Sequence, residues 1–248
     1  MSDYIIRHIH NYSLYFSPTL SHSVISLAEV DDDIITVSAS VSQYISMTYA
    51  NTHTIHLSNQ QLIKDYLYLL NTIEILQQHG LVHGNIHLEN IVYSNSKNYP
   101  LLKDFSQTFN FRKINQERKS NLIPAFELFV VNHLQQTSTS LSHNKIEHII
   151  NEYISHFPVN LRSRYEQTYK ESLVFSLSQY INSPIQKITN ELMVNYLQNW
   201  QMIDVFDLSM AMIQLSNNTF MEILFQVINP IRLSIPQIRY KIETMTTL

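Results

Sequence analysis

The chain has 248 residues, 44% of them hydrophobic, with a formal net charge of −4, enough apolar content to bury a core in one domain, or in one domain plus a remnant of a second. Its Lys and Arg are scattered, so no basic stripe points to nucleic acid, and it has no cysteine, which excludes disulfides and thiolate metal sites. No run approaches the roughly 18 apolar residues of a membrane span, and the opening MSDYIIRHIH lacks the apolar centre of a signal peptide.

In chain order, residues 3–14 carry Tyr4, Ile5, Ile6 and Ile9 and read as a short helix. Residues 23–29 and 34–49 are rich in β-formers and partly alternating, with Asp31, Asp32 and Asp33 as the turn between them, so they read as a small antiparallel sheet. Ser58 has the chemistry of an N-cap for a helix over 59–79, whose apolar stripe is Leu62, Tyr66, Leu69, Leu70, Ile73 and Ile75. Gly80 follows, where a helix end wants a residue with positive φ. It is one of only two glycines; the other is Gly84. A turn flanked by short apolar strands comes next. Beyond it the period is helical over 126–135, 144–156, 161–181, 185–198, 203–215, 218–227 and 236–245, and Gln136–Ser142 reads as an exposed loop.

The segment that carries chemistry is His83-Gly84-Asn85-Ile86-His87-Leu88-Glu89-Asn90, with Asp104-Phe105-Ser106 beginning 14 positions after Asn90. It resembles the catalytic loop and the metal-binding Asp-Phe-Gly motif of protein kinases. The resemblance extends over roughly residues 3–245. Pro124-Ala125-Phe126-Glu127 resembles the end of the activation segment, Asp204 stands at the start of what would be the large buried helix, and Arg232 follows Asn229-Pro230-Ile231 as in the family's late turn. On this resemblance Asn90 and Asp104 occupy the metal- and cofactor-binding positions, Asn85 the catalytic-base position and His87 that of the phosphate-steadying lysine. His83, Glu127, Asp204 and Arg232 are structural, with Glu127 paired to Arg232.

The departures imply lost chemistry. An amide at position 85 cannot act as a general base. Residues 1–59 contain neither glycine nor lysine, so neither a glycine-rich phosphate cover nor the strand lysine can be built. About 75 residues separate Glu127 from Asp204, more than ordinary kinases use. This helical insert, with Tyr15-Phe16-Ser17-Pro18 and Asn199-Trp200, is similar to kinase-like proteins of large cytoplasmic DNA viruses.

The resemblance therefore implies an α+β, protein kinase-like fold: a truncated β-rich N-lobe over residues 1–57 and an enlarged helical C-lobe over 58–248, with an insert around 128–203. It implies a catalytically inactive pseudokinase acting as a binding or structural protein, in host cytoplasm or a virion. Its partners would be proteins, viral structural proteins among them, without nucleic acid or a membrane span, and no cofactor would be needed. One alternative is residual Mg-ATP binding or weak serine/threonine kinase activity through Asn90 and Asp104. Another is an unrelated helical protein with accidental motifs. His79, His83 and His87 recur every four residues, but Gly80 and Gly84 interrupt any helix that would gather them on a metal.

Overall fold

The computed structural model describes residues 7–9, 16–17, 19–30, 33–42, 46–48, 58–94, 99–111, 125–137, 140–216, 218–228 and 233–246. Most of the expected helix over 3–14, the turn at Asp31 and Asp32, and Pro124 and Arg232 lie outside these residues, so the Glu127–Arg232 pairing does too.

Among the described residues, three small sheets precede and interrupt a mostly helical body. The first takes β1 (Phe16–Ser17), β4 (Ser46–Thr48), β6 (Ile91–Ser94) and β7 (Pro100–Lys103) in the order β1-β7-β6-β4, with β1 parallel to β7. The second is the antiparallel hairpin β2 (Thr19–Val30) with β3 (Asp33–Ser42). The third pairs β5 (Leu81–Val82) with β8 (Phe109–Asn110). The antiparallel pairing expected for residues 23–49 is present, but the second expected strand is divided. Residues 33–42 complete the hairpin, whereas 46–48 pair with β6.

Helix α1 (Asn59–Gln78) begins where Ser58 accepts a hydrogen bond from the Gln61 N–H, leaving one fewer unpaired amide in the first turn. Leu62, Tyr66, Leu69, Leu70 and Ile73 are all buried, at the 3–4 residue spacing of one helix face, and Ile75 packs at the edge of the core. The helix stops at His79, and Gly80 takes φ +68. A Cβ there would sit 3.3 Å from the ring of Phe111, which itself stacks on Trp200 at 4.0 Å and 4°. That ring has little room to yield, and the left-handed backbone costs any L-residue about 1–2 kcal/mol. Gly80→Ala is therefore expected to lower unfolding stability by at least about 1 kcal/mol in a urea titration; an unchanged midpoint would mean that the turn relaxes freely.

The remaining helices are α2 (Phe126–Thr137), α3 (His143–Ser155), α4 (Val159–Ser178), α5 (Ile185–Gln198), α6 (Ile203–Ile213), α7 (Asn218–Ile228) and α8 (Ile235–Thr246). Every helical expectation from 126 onward is met within a few residues. The expected exposed loop at 136–142 is a correction. Gln136 and Thr137 finish α2, and Leu141 is buried in the main core, its carbonyl accepting from Asn182 N–H. One apolar side chain within a polar stretch anchors the connection.

Helix α6 is apolar on nearly all sides and buried on nearly all sides, so it is a core axis rather than a surface helix. It packs against α1 and α7. Its one hydroxyl, Ser209, donates to the Val205 carbonyl and meets the hydroxyl of buried Tyr66 at 2.9 Å, so no polar atom is stranded there. Burial also raises the Tyr66 pKa well above the normal phenol value.

Candidate functional site

The site is assembled between the ends of short strands. After β5 the chain crosses residues 83–87, makes a tight turn at Leu88–Asn90 and returns as β6, which pairs with β7; Asp104 follows β7 directly. These two connections lie side by side because β6 and β7 are antiparallel neighbours.

Six hydrogen-bond contacts fix the loop. Asp204, 2% exposed in the first turn of α6, accepts the backbone N–H of His83 at 2.7 Å and of Gly84 at 2.8 Å. His83 is fully buried, and its Nε2 lies 3.0 Å from the Lys103 carbonyl, which ties the loop to the end of β7. Thr108 donates its hydroxyl to the His83 carbonyl. Asn90 donates its amide to the Asn85 carbonyl at 2.9 Å, with His87 Nε2 also at 2.9 Å.

Asp104 adopts the left-handed conformation, φ 59 and ψ 76, unusual for a residue with a Cβ. Its Oδ1 accepts from the Ser106 N–H, and its Oδ2 accepts from the Asn85 amide at 3.3 Å. Burial pushes the Asp104 pKa up, but hydrogen bonds from Ser106 and Asn90 and the neighbouring His83 outweigh it, and the carboxyl is held below its ordinary value. The structure thus brings Asn85, His87, Asn90 and Asp104 together, with His83 and Asp204 beneath them. Glu127 stands in the first turn of α2, partly buried.

The His83 ring is also edge-on to Phe105, which is edge-on to buried Phe16 of β1. Sequence reasoning gave no structural role to Phe16, named only within the viral likeness, or to Thr108. An aromatic in a two-residue strand and a threonine four positions after Asp104 carry no periodic signal, and only the fold shows what they touch.

Burial lowers the His83 pKa to about 4, against an ordinary value of 6.5. The unfolded chain binds this proton below about 6.5 and the folded chain only below about 4, so stability falls as pH drops through that window. A gap of this size corresponds to roughly 3 kcal/mol. Urea midpoints of the natural protein are expected to fall between pH 7 and pH 4, and His83→Gln to flatten that slope while lowering stability at pH 7. An equal slope in both proteins would show that other groups carry the acid sensitivity.

Among the described residues no group of three or more His, Cys, Asp or Glu can hold a metal ion, and His83 is engaged by the Lys103 carbonyl and the Phe105 ring. Among the described residues no helix is long and apolar enough to cross a membrane.

No family model and no curated protein matches the chain. Among solved structures it is similar to the crystal structure of the Mycobacterium tuberculosis PknI kinase domain, with 14% identity over 80% of this chain and 75% of that one, and a TM-score of 0.33.

Proposed function

We propose that this chain is a protein kinase-like pseudokinase, with residues 1–57 as a reduced N-lobe and residues 58–248 as an enlarged C-lobe, and that it works by binding a protein rather than by transferring phosphate. One observation carries the reading. Asn85 stands where a kinase-like loop needs its base, and its amide donates to the carboxylate of Asp104. An amide neither accepts a proton from a hydroxyl nor leaves that carboxylate free.

The donor set also suits Mg²⁺ poorly. Mg²⁺ wants an octahedron of hard oxygens, usually one or two carboxylates with waters and phosphates. Here a single carboxylate already accepts from Asn85 and Ser106, and Asn90 faces its neighbours as a donor. The nucleotide-binding alternative draws its support from the lowered pKa of Asp104, which keeps that carboxylate charged.

A melting experiment with Mg-ATP separates the two. At about 1 mM nucleotide the stabilisation should stay below about 0.5 kcal/mol, the limit for millimolar affinity. A larger shift that disappears in Asp104→Asn would replace this proposal by residual nucleotide binding. The partner is taken to be a protein because no basic stripe suits nucleic acid. The likeness to viral kinase-like proteins makes a structural protein of a viral particle the first to test.

A further inference from the structure

Helix α4 buries one apolar stripe and leaves a large aromatic side chain outside it. Leu161, Tyr169, Leu173 and Leu177 form the inner stripe and are buried. Val174 packs at the edge of the same core, whereas Phe175 is 82% exposed. They edge a groove of about 500 Å³ between α3 and α4, with Ile150 on the α3 side. The groove runs from Gln167 to Ser178 on α4, eleven residues at about 1.5 Å each, or roughly 16 Å. That length matches three turns of a helix laid along two others.

Charge selects the occupant. Glu147 and Glu171 stand on the opposing walls. The only lysine lining the groove, Lys170, is paired with Glu166 at 2.6 Å, and Lys145 is turned to the Thr137 hydroxyl. The groove therefore carries surplus negative charge around an apolar floor. A second copy of this chain would set acid against acid across the contact, which disfavours it. We propose that the groove between α3 and α4 binds an amphipathic helix of a partner protein, apolar on the face that meets Phe175 and Val174 and flanked by Lys or Arg. This rests on the reading of the chain as a binding protein and gives it a surface.

The probes are two labelled 18-residue helical peptides with the same leucine face, one flanked by lysines and the other by glutamates, followed by fluorescence anisotropy. The lysine peptide should bind the natural protein at least about tenfold more tightly than the glutamate peptide. Phe175→Ser, and separately Glu147→Lys with Glu171→Lys, should each weaken it about tenfold while leaving the circular dichroism unchanged. Equal binding of both peptides, no binding of either, or indifference to these exposed substitutions would overturn the proposal. So would sedimentation showing a dimer that depends on Phe175. A phosphoryl-transfer assay on the same preparation keeps the two readings apart: activity would sink the pseudokinase assignment and leave the groove result standing.

Discussion

Replacing Asp204 by alanine is expected to remove about 3–5 kcal/mol of stability, a large share of what a domain of this size holds. Both carboxylate oxygens are engaged, each by a backbone N–H at under 3 Å, and the residue is all but inaccessible to water. Hydrogen bonds to a charged acceptor contribute roughly 1.5–3 kcal/mol each. With alanine, the His83 N–H is left inside with no acceptor, while the half-exposed Gly84 N–H can turn to water. The position in the first turn of α6 also favours a negative charge through the helix dipole. Asp204→Asn retains one acceptor oxygen and should recover about half of the loss. Urea or thermal midpoints of the two variants decide the matter. A loss under about 1 kcal/mol for alanine would mean that the loop does not depend on this carboxylate.

The second large effect follows from the proposed pseudokinase reading. Radiolabelled ATP with Mg²⁺ or Mn²⁺ is expected to leave no label on protein substrates. A missing base removes a factor of roughly 10²–10⁴ in rate, and phosphates without cover or lysine lose several kcal/mol of positioning and charge stabilisation besides. Asn85→Asp should not restore transfer. Residues 1–59 contain no lysine, and Lys64, the only one before the loop, is exposed on α1. Restoring the carboxylate would also set two acids against each other where the Asn85 amide now bridges to Asp104. Label that appears with the natural sequence and vanishes with Asp104→Asn would show the pseudokinase reading to be wrong.

The helices were legible because their signals are local. Ser58 and Gly80 bracket α1, and apolar residues at helical spacing give α2 to α8 to within a few positions. The meeting of Asn85, Asn90 and Asp104 was legible only through the resemblance to the kinase motif order, since nothing in their spacing specifies an antiparallel return between them. The pairing of 46–48 with β6 was not legible, because a three-residue strand has too few alternations to choose its partner. Nor was the burial of Leu141, where a polar neighbourhood concealed one anchoring side chain. Tyr66 against Ser209 lies 143 positions apart in sequence, a contact no local pattern encodes.

Trp200 is the only tryptophan in the chain, and it lies face to face with Phe111, just after β8 and close behind Asp104. Emission excited at the red edge, where tyrosine is silent, therefore reads one location without any label. If the strand after Asp104 parts from the end of α5, the indole changes its surroundings from an aromatic face to water, and its spectrum moves to the red. Far-ultraviolet dichroism, dominated by α1 to α8, would stay constant through the same event. The molecule thus carries its own optical gauge for local opening at the candidate site, separate from the signal of global unfolding.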